Sequence, residues 1–142
     1  MKLAWSEQMS VGNVIVDSEH RNLISLVNDT IHAIKTRNDS DLALAFEQLE
    51  RALCVHIETE ERIARAAGFD FSRLKLAKTY GLEELQYLKS ELVGGHTLWS
   101  EKAVEHFIHF LKNWLIDEHI VWLDMQMKPV LQNRDYNFIP EA

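Results

Sequence analysis

Proline, glycine and cysteine are all scarce in this chain of 142 residues, which contains 2, 5 and 1 of them. Both prolines, Pro129 and Pro140, lie near the C-terminal end, so residues 1–128 contain none. Because proline interrupts helices and marks turns, its absence over this length favours long helices over a turn-rich β fold. A single cysteine also excludes an internal disulfide, so a metal site must be built from nitrogen and oxygen donors.

The chain also lacks an excess of basic residues and a long apolar run. Its 22 acidic residues outnumber its 15 basic ones, and the net charge of −7 argues against nucleic acid or an anionic membrane as the main partner. No apolar run approaches the roughly 18 residues of a membrane span, and residues 1–7 lack the apolar stretch of a signal peptide. With 46% apolar residues, we expect one cytoplasmic domain over residues 1–142.

Apolar residues recur at steps of three and four along most of the chain, the pattern of amphipathic helices. Four helices are predicted, at about residues 18–37, 41–67, 72–93 and 97–128. Asp17 is the expected N-cap of the first helix, residues 1–16 form an arm, and residues 129–142 form a short tail. Because short loops make neighbouring helices antiparallel, the predicted fold is all-α, an up-down-up-down four-helix bundle with an N-terminal arm.

The 7 histidines fall into two groups on these helices. His20, His56 and His119 lie on the core-facing stripes, whereas the others lie on a rim, beside a stripe or in a loop: His32, His96, His106 and His109. A lone buried histidine is more often a hydrogen-bonded core residue than a ligand. Three of them on inner stripes favour a common site.

Two carboxylates accompany these histidines. Glu60 lies four residues after His56 on the same helix face, and its stripe carries no basic residue, so it needs a cation, a proton or a metal. Asp124 follows His119 by five residues, a spacing that places it about 140° away on an ideal α-helix, as a flanking residue.

The predicted topology brings these residues to one end of the core. The start of the first helix lies beside the ends of the second and fourth helices, so all five side chains should meet there. Three imidazoles and two carboxylates suit iron, manganese or zinc, and the lack of thiolates argues against copper(I) or an iron–sulfur cluster.

Four segments share a pattern with one known family: Trp5 with Met9–Gly12, Asp17–His20, His56–Glu61, and Trp114–Ile120 with Asp124. On these segments the sequence resembles the hemerythrin family, specifically the bacteriohemerythrins. The resemblance implies a four-helix bundle that binds O2 reversibly at a non-heme di-iron centre. It also implies that His20 and His56 bind one iron, His119 binds the other, and Glu60 and Asp124 bridge them. The five-residue spacing of His119 and Asp124 is the family's own pattern.

The third helix departs from that pattern, because the family has a His-x-x-x-His pair there and this chain has no histidine between His56 and His96. Two registers are open for the missing positions: Lys75 with Thr79, or Leu74 with Lys78. Neither supplies an imidazole, so only His119 and the shared carboxylates remain for the second ion. We therefore expect one metal ion rather than two, with iron favoured and zinc or manganese also suitable.

A lysine on the third helix offers a further possibility for this half of the site. If the ammonium group of Lys75 or Lys78 reached inward, it would replace the second metal electrostatically beside Glu60. Tyr80 or Glu83 are alternative sources of an oxygen ligand.

Three functions are compatible with these residues. The favoured one is a non-enzymatic, hemerythrin-like metal-binding domain that binds or senses O2, NO or iron itself. The alternative is a metal-free bundle with a structural or protein-interaction role, and the third is an oxygen-activating or NO-handling enzyme. The sequence identifies no protein partner and leaves a homo-oligomer open.

Overall fold

A computed structural model describes residues 3–92 and 100–140, and these ranges contain helices, turns and no strand. The main helices are α1 (Val14–Thr36), α2 (Asp39–Ala66), α3 (Ser72–Leu92) and α4 (Glu101–Phe110). A π-helical segment (Leu111–Leu123), a 3-10 turn (Asp124–Met127) and α5 (Lys128–Leu131) continue α4 without a break, and a short 3-10 turn (Glu7–Met9) lies in the arm. The predicted end of the third helix, the loop histidine His96 and the predicted start of the fourth helix at residue 97 lie outside the described residues.

The helices pack as a closed bundle. Consecutive helices are neighbours, and α1 also contacts both α4 and the π-helical segment, so the first and last helices meet. This arrangement confirms the predicted all-α four-helix bundle. Within the described ranges, no helix has the length and apolar content needed to cross a membrane.

The first helix begins earlier than the sequence pattern predicts. Its N-cap is Asn13, whose side-chain oxygen accepts hydrogen bonds from the backbone N–H groups of Ile15 and Val16. Since Asn13 already satisfies these free donors, the prediction of Asp17 as the cap was wrong. Asp17 instead lies buried inside the first turn of α1.

Asp17 joins the arm and the tail of the chain to α1. Its carboxylate accepts hydrogen bonds from Ser10 Oγ at 2.5 Å, from the Val11 N–H at 3.0 Å and from the Tyr136 hydroxyl at 3.0 Å. The Val14 N–H also donates to the carbonyl oxygen of Tyr136 at 2.9 Å. These contacts fix the first turn of α1, which precedes His20 by one turn.

The bounds of the other helices shift by a few residues. Asn38 caps α2 by accepting from the Asp41 N–H, so this helix starts at Asp39 rather than 41. Ser100 caps α4 in the same way through the Ala103 N–H, and the described helix starts at Glu101. The fourth helical run also passes residue 128, because Pro129 lies in the first turn of α5, where its missing N–H costs no hydrogen bond.

The interior contains a buried polar layer between the two largest apolar clusters. The larger cluster fills most of the bundle and includes Leu23, Phe46, Leu85 and Leu115. The smaller cluster lies towards the arm and includes Val16, Ile63, Leu74 and Met127. On each helix the polar residues fall between these two sets along the chain, so the polar layer crosses the bundle and is closed on both sides by apolar side chains.

Candidate metal centre

All five residues predicted from the sequence lie together in the polar layer: His20, His56, Glu60, His119 and Asp124. Each is fully buried, and one potential ligand atom from each lies within 4.8 Å of all the others. The five side chains therefore meet as the predicted topology requires, except that the smaller apolar cluster separates them from the end of the bundle. The remaining histidines of the described ranges, His32, His106 and His109, are exposed as expected.

On the α1–α2 side, two imidazoles face the carboxylates. His20 Nε2 lies 2.6 Å from Asp124 Oδ2. His56 Nε2 lies 2.8 Å from Glu60 Oε1, but this contact lacks hydrogen-bond geometry, so the buried Nε2 atom has no hydrogen-bond partner. A buried nitrogen without a partner, aimed at a carboxylate, is chemically suited to bind a cation.

The π-helical segment explains how Asp124 reaches the site. The Asp124 N–H donates to the carbonyl oxygen of His119, five residues earlier, so the two residues lie one π-helical turn apart. Their side chains therefore project in the same direction, and His119 Nε2 lies 3.3 Å from Asp124 Oδ2. The ideal α-helical wheel placed Asp124 on the flank because it assumed 3.6 residues per turn.

Lys78 completes the polar layer from α3. It is fully buried, and its Nζ atom lies 2.8 Å from Glu60 Oε1 and 2.9 Å from His119 Nε2, and also forms an ion pair with Asp124 Oδ1. Leu74, one turn earlier, is buried as well. The second of the two registers left open by the sequence is therefore the one in the structure.

The residues of the other register lie on the surface. Thr79 is exposed, and Lys75 is half-exposed and forms an ion pair with Glu61 at 3.0 Å. Tyr80 and Glu83 are also exposed, so the suggestion that either supplies a ligand was wrong. A signal for the correct register is present in the sequence, as a heptad pattern of alternating four- and three-residue steps along α3: Leu74, Lys78, Gly81, Leu85, Leu88 and Leu92.

Both buried carboxyl groups are ionised at neutral pH. Burial and the charge of Asp124 raise the pKa of Glu60, but the charges of His56 and Lys78 outweigh them and lower it to about 2. Burial also raises the pKa of Asp124, and the charge of Lys78, with the neighbouring histidines, holds it well below its usual value. Lys78 thus stabilises two carboxylates that would otherwise be buried without a counter-charge.

His56 and His119, on opposite sides of the layer, differ in their protonation. Burial disfavours a charged imidazole at His56, but the negative charge of Glu60, together with the nearby carboxylates of Asp124 and Glu19, raises its pKa well above the usual value. Burial and the charge of Lys78 lower the pKa of His119 to about 4, so this ring is neutral at pH 7.

Gly81 makes room for an aromatic wall beside the layer. A Cβ atom at this position would overlap the indole ring of Trp114, which is buried and packs edge-on against His119 with ring centroids 6.2 Å apart. Gly81 lies inside α3, which continues through it. Its role is close packing of α3 against the π-helical segment.

The donor set fits a metal ion. Ligand atoms bound to one ion lie at most about 4.4 Å apart, twice a bond of about 2.0–2.2 Å. The five candidate atoms lie within 4.8 Å of one another, so the most widely separated pair must move slightly closer to share one ion. The set contains imidazole nitrogens and carboxylate oxygens, which suit iron, zinc or manganese. Lys78 Nζ occupies the α3 side of this set, where a second ion would need its ligands.

One residue of the site was missed by sequence reasoning. Glu19 Oε1 lies 2.7 Å from His56 Nδ1, across the interface between α1 and α2. Glu19 precedes His20 in the chain, and its position off the inner stripe gave no sign of a contact with another helix.

Comparison with known proteins finds a similarity to bacteriohemerythrins. Over 71 residues the chain is 25% identical to bacteriohemerythrins of Pseudomonas aeruginosa and Pseudomonas paraeruginosa. The matched stretch covers 50% of this chain and 46% of each relative, so the chain spans a little under half the length of these curated relatives. No protein-family model matches the chain. The similarity and the all-helical fold together support the hemerythrin-like relationship expected from the sequence.

Proposed function

We propose that this protein is a hemerythrin-like domain that holds one non-heme metal ion, with iron favoured, through His20, His56, Glu60 and Asp124. The observation that carries the proposal is the position of Lys78, whose ammonium group contacts His119 and both carboxylates from the α3 side. The opposite side contributes imidazoles and no lysine or arginine among the described residues of the cluster. The ammonium group of Lys78 therefore takes the place of one metal ion. The imidazole and carboxylate donors on the opposite side remain available for one ion.

The charges of the site favour one divalent ion over two. Glu19, Glu60 and Asp124 supply three negative charges, and Lys78 supplies one positive charge. One divalent ion balances the sum when the histidines are neutral. A second divalent ion would leave two excess positive charges in a buried layer, which is strongly unfavourable in a medium of low polarity.

The ligand type favours iron and a small gaseous ligand. Two histidines with one or two carboxylates resemble the ligand set of mononuclear non-heme iron sites, and zinc or manganese would also fit. Iron bound there would supply affinity for a diatomic gas such as O2 or NO. The chain itself buries the donors and excludes water from the layer, which suits binding or sensing of a gas, or of iron, rather than hydrolysis.

The test is metal analysis of protein purified without chelator, combined with a visible spectrum recorded in air. We expect about one equivalent of iron per chain, lost in a His56→Ala variant and retained in His109→Ala, which removes an exposed histidine. Two irons per chain with oxo-bridge absorption would contradict the one-ion proposal. Absence of metal under every loading condition would contradict metal binding altogether.

A metal-free structural role is the second candidate, and the ion pairs of the layer favour it. With His56 protonated, the charges of His56 and Lys78 balance those of Glu60 and Asp124 without any metal, and only the charge of Glu19, whose side chain is partly exposed, is left over. On this alternative, the bundle would act through contacts with partners, and added iron, zinc or manganese would leave its thermal unfolding unchanged. The cytoplasmic location, protein partners and a homo-oligomer stay predictions.

A further inference from the structure

We infer that Glu19 is a positioning residue, which fixes the imidazole of His56 so that its Nε2 atom faces the metal-binding layer. The inference rests on the proposed function, because it assigns a role towards the same ion. It also predicts that Glu19 holds the His56 ring in the metal-free protein, which can be tested separately.

Glu19 contacts the His56 ring on the edge that faces away from the metal-binding layer. Glu19 Oε1 lies 2.7 Å from His56 Nδ1, on the side of the ring opposite Nε2. Nε2, in turn, lies 2.8 Å from Glu60 and 3.6 Å from Asp124. With the Nδ1–H donated to a carboxylate, the ring cannot flip without breaking this bond, so Nε2 stays directed inward.

The other two histidines of the layer have no comparable support. His20 Nδ1 and His119 Nδ1 are buried and have no hydrogen-bond partner among the described residues. His56 alone of the three therefore has an outer carboxylate, the arrangement that orients metal-binding histidines and raises their basicity. Loss of such an outer partner typically weakens metal affinity by about 10–100-fold.

The contact also links α1 and α2, the two helices that supply His20, His56 and Glu60 to the layer. Glu19 and His20 are adjacent on α1, so the same turn supplies one donor to the layer and the anchor for the donor on α2. The Glu19 side chain is 26% exposed, whereas those of His20 and His56 are almost fully buried. Its outer edge lines a surface cleft of about 450 Å³ between α1 and α2, so a substitution there does not open a cavity in the apolar core.

Three variants separate positioning from charge. Glu19→Ala removes the acceptor, Glu19→Gln keeps an acceptor oxygen but removes the charge, and Glu58→Ala removes an exposed carboxylate elsewhere on the α2 surface. The probe is zinc(II), with its dissociation constant measured by competition against a chromophoric chelator. We expect Glu19→Ala to raise the constant by about 10–100-fold, Glu19→Gln to recover most of the loss, and Glu58→Ala to match the wild-type protein.

A second measurement uses the zinc-free protein. In proton–nitrogen NMR spectra of the imidazole groups, the His56 Nδ1–H should exchange slowly with water in the wild type and in Glu19→Gln, and rapidly in Glu19→Ala. Unchanged exchange in Glu19→Ala would overturn the inference, as would an equal loss of zinc affinity in Glu19→Gln and Glu19→Ala. A wild-type protein that binds no metal would refute the proposed function, and the exchange measurement would then decide the role of Glu19 by itself.

Discussion

The two sides of the polar layer share the same pair of carboxylates but neutralise them differently. On the α1–α2 side, Glu60 and Asp124 face the imidazoles of His20 and His56, with Glu19 behind His56. On the α3 side they face the ammonium group of the Lys78 side chain. The comparison shows that a single ammonium group can neutralise two buried carboxylates from one side, but it offers no open position for an exogenous ligand.

The largest effect is expected when Lys78, on the α3 side of the layer, is replaced as part of a new pair of histidines. In a Leu74→His/Lys78→His variant, both new imidazoles lie one helical turn apart on the face that Lys78 now presents to the layer. We expect the iron content to rise from about one to about two ions per chain, with oxo-bridge absorption in air.

A matched control places the same histidine spacing on the surface. Lys75→His/Thr79→His changes the exposed edge of α3 and should leave the iron content as in the wild type. An equal gain of iron in both variants would show that surface histidines, and not the buried layer, bind the added metal.

The second-largest effect is expected on stability, when the buried ammonium group of Lys78 is removed. Lys78→Met keeps the length of the side chain but leaves two buried carboxylates without their counter-charge, which typically costs about 3–5 kcal/mol. We expect this loss in the free energy of unfolding by urea in the presence of chelator, and partial recovery on addition of a divalent metal.

Lys75→Met provides the comparison, because that lysine forms only a surface ion pair worth at most about 1 kcal/mol. If both variants lost the same stability, the charge of Lys78 would not be the counter-charge of the layer.

Acid should destabilise the metal-free protein through the same carboxylates. Because the pKa of Glu60 falls from 4.5 to about 2 on folding, its stabilising contribution is complete above pH 4.5 and is lost as the pH falls towards 2. His119 acts in the same direction between pH 6.5 and about 4, since its pKa is lowered from 6.5 to about 4 and the unfolded chain binds the proton first.

The Glu60 contribution is on the order of 3 kcal/mol, and urea unfolding at pH 7, 4.5 and 2.5 with chelator would measure its loss. His56 has the opposite sign, because its raised pKa gives a contribution that is lost as the pH rises. A Glu60→Gln variant should be less stable at pH 7 and show a weaker decline between pH 4.5 and pH 2.5. A decline as steep as that of the wild type would assign the acid sensitivity to other groups.

The smallest expected effect tests the packing of the lysine side. Gly81→Ala introduces a methyl group where the indole of Trp114 lies, and such overpacking typically costs about 1–3 kcal/mol. Thr79→Ala, on the exposed face of the same helix, should stay within about 0.5 kcal/mol of the wild type. Thermal unfolding would compare the two, and equal stability would mean that Trp114 moves aside without loss.

Periodicity was sufficient for the fold and for His20, His56, Glu60 and His119, because each lies on a regular apolar stripe of an α-helix. It failed for Asp124, since the wheel assumes α-helical winding and the chain adopts a π-helical segment there. The register of α3 stayed open because the family spacing counted from His56 leads to Lys75 and Thr79, whereas the leucine stripe favours Leu74 and Lys78. Glu19 was missed because its partner lies on another helix, which a stripe along one helix cannot reveal.

The packing of Trp114 gives the layer its own optical reporter. Its indole is buried and packs edge-on against His119, whereas Trp122, on the same helical run, is 70% exposed. In a variant with the other two tryptophans, Trp5 and Trp99, replaced by phenylalanine, the two remaining rings should therefore emit at different wavelengths, with the buried ring on the blue side of the spectrum. A paramagnetic ion bound beside His119 would quench the blue component and leave the red component, so fluorescence can follow occupancy of the layer without a label.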